Sequence, residues 1–256
     1  MIGNDKILVL QDRDLQLFRE VAAMHQTNRE QIQTAAGFDS TTRANTRLLK
    51  LYQAGFLHRF FHGTISGGRQ AIYSLSSTGA AAAGVPVPRV VRMRGGAAAL
   101  FVEHRLLINE IYLNLKFRPI PIPGVRFCKW VTPAERLSKS AAIIPDGYFE
   151  LESANGLHSM FLEVDLTTEP LNEWQHKCEA YLRFATTGEF HDSFGRDRFR
   201  VLIITQSDRR GRSLQKLVLR FTDKIFWFAT LTRQTADKFW TPIWLRPSGI
   251  QTYSLL

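Results

Sequence analysis

Cysteine is scarce in this chain. Cys128 and Cys178 are the only two in 256 residues, far apart and without metal-type spacing. Neither a disulfide framework nor a cysteine-based zinc site is expected from them. Reduced thiols fit a reducing compartment, so the expected location is cytoplasmic. Long apolar runs are missing as well, since none approaches the ~20 residues that span a bilayer. Met1 to Gln11 lacks the charged start, long apolar centre and small-residue cleavage site of a secretory signal. No membrane partner is expected. Internal repeats are absent, and Ala80–Ala83 is the only low-complexity tract.

Acidic residues are the minority charge. Lys and Arg number 33 against 23 Asp and Glu, a formal net charge of +10. The first 100 residues hold 12 of the basic and 6 of the acidic residues, so the excess is denser there. Such a surface attracts phosphate backbones. A basic enzyme without a polyanion partner is the alternative that charge leaves open. The hydrophobic content of 45% supports packed cores, and the length holds one large or two medium domains.

The N-terminal third reads as three helices and a hairpin. Asp12 is placed to cap a helix carrying Leu15, Phe18, Val21 and Ala22 on one face. Thr27 or Asn28 starts a short second helix from Arg29 to Ala36, ended by Gly37. Asp39 or Ser40 caps a third, stopped by Gly55. At helical periodicity Ala44, Leu48 and Leu51 form its buried face. Arg43, Thr46, Arg47 and Lys50 fall opposite, with Thr42 and Asn45 beside them. A helix of this kind fits the DNA major groove, where arginine and asparagine read base edges. Phe56 to His62 and Arg69 to Leu75 read as strands joined by Gly63–Gly68, which places Arg59, His62 and Arg69 near a hairpin tip. The order of elements, with Leu48–Leu49–Lys50–Leu51–Tyr52–Gln53–Ala54–Gly55–Phe56–Leu57, resembles winged-helix DNA-binding domains. That resemblance implies double-stranded DNA as partner, with protein binding as the alternative use of the fold. Residues 84–96, with three prolines or glycines leading into Arg89, Arg92 and Arg94, read as a basic linker. The expected organisation is a DNA-binding domain over 1–83, the linker, and a second domain over 97–256.

The second part alternates helices and strands. Residues 98–116 form an amphipathic helix with Glu103, His104 and Glu110, and Pro133 is placed to begin a brief helix to Lys139. Ala142 to Leu151 and Leu157 to Leu166 then read as an antiparallel strand pair around Asn155–Gly156. Asp146 sits on the first strand. Glu163 and Asp165, two apart on the second, project from the same face. Acids among Phe161, Leu162, Val164 and Leu166 need a cation or donors if buried. Mg²⁺ takes oxygen ligands, so Asp146, Glu163 and Asp165 are the expected metal ligands, for Mg²⁺ or Mn²⁺. Lys177 and Tyr181 lie one turn apart on the following helix, with Lys177 positioned to reach back towards the acids. Val201–Ile204 and Phe226–Thr230 read as further buried strands.

This order resembles the PD-(D/E)xK restriction-endonuclease fold. Pro145–Asp146 matches its first acid. Glu163–Val164–Asp165 matches its acid–x–Lys triplet with Asp165 in the lysine position, and Lys177–Cys178–Glu179–Ala180–Tyr181 resembles its variant helical element. The resemblance implies an α/β (α+β) fold with a mixed central sheet flanked by helices. It also implies catalytic roles for Asp146, Glu163, Asp165 and Lys177. The whole chain, including Glu103–His104–Arg105–Leu106, resembles the replication-relaxation family of plasmids and mobile elements. That family resemblance adds Glu103, His104 and Glu110 as helix contributors. It implies a metal-dependent endonuclease or nickase of replication or the relaxosome, in which metal-held water attacks a phosphodiester. It also implies other replication or transfer proteins as partners. The sequence shows no three-histidine cluster beside a nucleophilic tyrosine, which speaks against histidine-cluster relaxase chemistry. A DNA-binding replication or transcription regulator with a degenerate nuclease fold is the alternative, and an interaction scaffold a third. A homodimer is left open.

Overall fold

A computed structural model describes residues 8–63, 67–87, 96–166 and 169–256. The hairpin turn at 64–66 and most of the expected linker, with Arg89, Arg92 and Arg94, lie outside the described residues. The chain divides into two compact units, Met1–Asn109 and Glu110–Leu256. The division falls within the long helix.

The first unit runs α1 (Asp12–Met24), β1 (Thr27–Asn28), α2 (Arg29–Ala35), α3 (Thr41–Gln53), β2 (Leu57–Gly63), β3 (Arg69–Leu75) and α4 (Ser77–Ala83), then enters α5 (Gly96–Lys116). The strands form a three-stranded sheet in the order β1-β3-β2, antiparallel throughout. Leu17, Phe18 and Val21 of α1 meet Ile32, Ala44, Leu48 and Leu51 in one buried cluster. Each fully buried Leu or Phe contributes about 1.5–3 kcal/mol, so this cluster fixes how α3 is presented. Gln11, not Asp12, caps α1: its backbone N–H donates to Asp14 Oδ2 at 2.7 Å. Ser40 caps α3 by accepting from the Arg43 N–H, and Gly55 follows that helix with φ of 79°. Positive φ is cheap only for glycine.

The second unit completes α5 and adds β4 (Arg126–Val131), β5 (Gly147–Ser153), β6 (Gly156–Asp165), α6 (Leu171–Thr186), α7 (Glu189–Phe194), β7 (Phe199–Thr205), α8 (Asp208–Leu219) and β8 (Phe226–Thr230). A 3₁₀ helix (Arg233–Trp240), β9 (Trp244–Leu245) and β10 (Thr252–Tyr253) close it. The seven strands form one mixed sheet in the order β10-β9-β8-β7-β6-β5-β4. β7 lies parallel to both β6 and β8, and the other pairs are antiparallel. Strand alternation puts Phe161, Val201, Ile203, Phe226 and Phe228 on one face, where Trp174, Tyr181, Phe184 and Leu214 cover them.

Two local expectations fail for physical reasons. The strand placed over Ala142–Leu151 begins only at Gly147, so Asp146 precedes the strand rather than sitting in it. The helix placed over Pro133–Lys139 does not form. Its backbone turns back instead, with Leu137 N–H donating to Ile143 O and the Ala141 N–H to Ser138 Oγ. α8 starts at Asp208, where Ser207 caps it by accepting the Arg210 N–H. Among the described residues, no helix is long and apolar enough to cross a membrane.

Candidate functional site

The first unit gathers cations on the outward side of α3. Thr42, Arg43, Asn45, Thr46 and Lys50 are exposed, opposite the buried Ala44, Leu48 and Leu51. A cavity of about 290 Å³ opens there, lined by Gln11, Arg13, Phe38, Thr42, Arg43, Thr46, Arg47 and Lys50. Arg13, brought by α1 and stacked over Phe38 at 5.2 Å, was not among the expected residues. Two expected residues have other engagements. Arg47 gives Nε to Asp14 Oδ1 at 2.8 Å, a second nitrogen to Asp14 Oδ2, and a bond to Val9 O at 2.9 Å. Its hydrogen bond to Asp14 raises its already high proton affinity. His62 is buried and sits 3.2 Å from Glu103 Oε1; it does not stand open at the hairpin tip. Arg59 lies over Tyr52 at 4.3 Å and over Phe61, and Arg69 also lies over Phe61.

The second unit gathers acids under α6. Glu163 is buried, and both its oxygens are occupied: Oε2 accepts from Lys177 Nζ at 2.9 Å and Oε1 from Tyr181 O–H at 2.6 Å. Lys177 also donates to Glu169 at 3.0 Å. Asp146 Oδ2 accepts the Val164 N–H at 2.7 Å, and the Asp146 N–H donates to Leu162 O. That pairing fixes Asp146 against β6. Burial raises the Glu163 pKa, Lys177 offsets part of that, and Asp146 adds to it. Burial works against the Lys177 ammonium, yet Glu163, Glu169 and Asp146 outweigh it and lift its pKa above the ordinary lysine range. Burial and then Glu163 hold Tyr181 protonated. Lys177 is therefore a fixed cation, unsuited to general-base work at neutral pH.

Residues 18–196, a span that includes Asp146, Glu163, Lys177 and Tyr181, match the family model for replication-relaxation proteins. This chain belongs to the replication-relaxation family. No curated protein matches it. Among solved structures it is similar to the restriction endonuclease FokI, at 14% identity and a TM-score of 0.33, with 88% of this chain and 43% of that one covered. The chain thus spans less than half the length of that structure.

For this family member the expected three-acid cage needs correction. Asp165 shares the face of Glu163 but gives its carboxylate to Arg210, with Nε to Oδ2 at 2.8 Å and a second nitrogen at 2.6 Å. Arg210 is carried there by the first turn of α8, and its guanidinium also reaches Glu169 O. Among the described residues, no group of three or more His, Cys, Asp and Glu is arranged to hold a metal. The donor set does not fit the cage: Glu163 and Asp165 already hold donors from Lys177, Tyr181 and Arg210, and both are nearly sealed from solvent. The helix contributors are engaged elsewhere. Glu103 meets His62 in the first unit, and Glu110 accepts from Arg118 in the second. His104 is half-buried on α5. Tyr181 and Arg210 are the site-forming residues that residue-by-residue reading undervalued. Tyr181 was legible as the end of the Lys–x–x–x–Tyr spacing. Arg210 had only its place in an arginine-rich run.

Proposed function

We propose that this chain is a DNA-binding replication or transfer protein of a plasmid or mobile element. In this reading the first unit is a winged helix that lays α3 in the major groove, with β2 and β3 as the wing. The second unit is a PD-(D/E)xK-type core that has lost the open metal cage. The observation that carries the reading is the cavity on the outer face of α3, lined by Arg13, Arg43, Arg47 and Lys50. Thr42, Asn45 and Thr46 stand beside these cations as the polar side chains that read base edges. The family's name, replication-relaxation, supports a DNA partner. The test is fluorescence anisotropy with labelled duplex over a salt series. Arg43→Ala with Lys50→Ala should weaken binding tenfold or more and flatten the salt dependence, at roughly 0.9 in log–log slope per lost phosphate contact. Unchanged affinity in that double variant would overturn the reading and favour a protein-binding scaffold.

A second reading, cleavage, is favoured by one observation. Asp146, Glu163 and Lys177 act on one another electrostatically, and Glu169 and Tyr181 complete the group. Glu163 and Glu169 both hold the Lys177 ammonium, and Asp165 holds Arg210 beside them. Supercoiled DNA incubated with either ion separates the readings. Cutting that disappears in Glu163→Gln establishes a nuclease, and intact DNA under both ions leaves the regulator.

A further inference from the structure

The face of the second sheet opposite the acids carries an arginine pair that neither reading uses. Arg200 of β7 lies over the Trp227 ring at 4.8 Å, and Arg246, just past β9, lies over the same ring at 5.2 Å. Arg246 also lies over Tyr253 of β10 at 5.4 Å. Sheet register explains the assembly. Trp227 is aligned with Leu202, two residues along β7 from Arg200, so both side chains leave the same face. Tyr253 is aligned with Trp244, two before Arg246. Arg200 Nη1 donates to the Leu255 carbonyl at 2.6 Å, which fixes one guanidinium. Arg246 is exposed.

Among the described residues neither guanidinium has a carboxylate within ion-pair distance. Burial and then the neighbouring Arg246 charge both disfavour the charged form of Arg200. Burial and then Arg200 disfavour the charged form of the nearby His158 as well. Elsewhere in this unit partly buried arginines are neutralised, as Arg210 is by Asp165 and Arg196 by Glu150. Two like charges lie over one indole, brought there from the strands on either side of β8, and one of them is anchored to a backbone carbonyl; each is suited to an anion with several oxygens. Guanidinium groups match phosphate oxygens bidentately.

We propose that Arg200 and Arg246, held by Trp227 and Tyr253, form a second phosphate-binding site, taking the backbone of a nucleic acid independently of α3. The site rests on the DNA-binding reading, and the chemistry selects the strand's phosphates, not its sequence. The test uses the full chain and a labelled duplex several helical turns long. Apparent affinity is followed against salt for the wild type, Arg246→Ala, Arg246→Lys, Arg200→Ala/Arg246→Ala and Arg43→Ala. The expected result is a log–log slope reduced by about 0.9 in Arg246→Ala and by about 1.8 in the double variant. Arg246→Lys should retain most of the slope, because a point charge still contacts phosphate. Arg246 is exposed, so its single variant keeps the experiment decisive if Arg200→Ala misfolds. An unchanged slope in Arg246→Ala, beside a reduced one in Arg43→Ala, overturns this site and leaves the α3 reading standing. Absence of DNA binding by the wild type overturns both. Binding of the wild type to anionic vesicles, with duplex slopes unaffected by Arg246→Ala, overturns the nucleic-acid assignment.

Discussion

Asp14 shows how a single residue can change what a neighbour is for. It is fully buried at the start of α1, and Arg47 of α3 supplies its countercharge. Removing one partner of a buried pair strands the other, at about 3 kcal/mol. Arg47→Ala should therefore lower unfolding free energy by about that amount in a urea titration. Arg43→Ala, on the exposed side, should change it by less than about 0.5 kcal/mol. Equal small losses would mean that the pair contributes little, and Arg47 would return to the list of free DNA contacts. His25 gives a second residue-scale prediction. It ends α1 with φ of 61°, in a three-residue turn closed by the Gln26 N–H on Met24 O. Burial and then Arg105 lower its pKa from 6.5 to about 4. The unfolded chain thus binds the proton more readily than the folded one between those values. Stability from this group is complete above pH 6.5 and falls as pH drops towards 4, by on the order of 3 kcal/mol in all. Asparagine tolerates positive φ, so His25→Asn should fold and lose that component. A urea midpoint that varies with pH identically in both proteins would assign the acid sensitivity to other groups.

At the scale of elements, close backbone packing decides more than propensity does. Gly79 lies in α4, where alanine is normally better than glycine by about 1 kcal/mol. A Cβ there would meet Phe56 O at 2.3 Å and Leu75 Cδ1 at 2.6 Å. The first is backbone and cannot swing aside, and overpacking costs about 1–3 kcal/mol. Gly79→Ala should lower the melting temperature, whereas Gly84 has no such neighbours and ends the same helix with φ of 64°. A rise in melting temperature for Gly79→Ala would mean that α4 is not seated against the strand entry. The sequence made such elements legible where one signal spoke alone. Ser40 and Gly55 bracket α3, and Ala44, Leu48 and Leu51 mark its face. The Asn155–Gly156 turn and the flanking apolar runs mark β5 and β6. It was silent where a partner distant in sequence decides. Nothing local tells that Arg47 will meet Asp14, that His62 will meet Glu103, or that Asp165 will be claimed by Arg210, 45 positions away. The two-residue strands β1, β9 and β10 carry no periodicity to read, since alternation needs more than two positions.

Across the whole molecule, the question is how far a net charge of +10 is organised for DNA. Scattered charge gives a shallow salt dependence, while phosphate contacts release counterions one by one. Arg13, Arg43 and Lys50 are the α3-side cations not engaged in an ion pair among the described residues. At roughly 0.9 per contact, they alone predict a log–log slope near about −2.7. If Arg200 and Arg246 engage the same duplex, the slope steepens to about −4.5. Chelation should leave affinity unchanged in either case, because the cations of both surfaces are side chains. An anisotropy series in chloride salts, with and without EDTA, measures both quantities. A slope near zero would mean that the positive charge is ordinary solvated surface. A loss of affinity on chelation would place a metal ion in the DNA contact itself, with the acid cluster around Glu163 as the place to look for it.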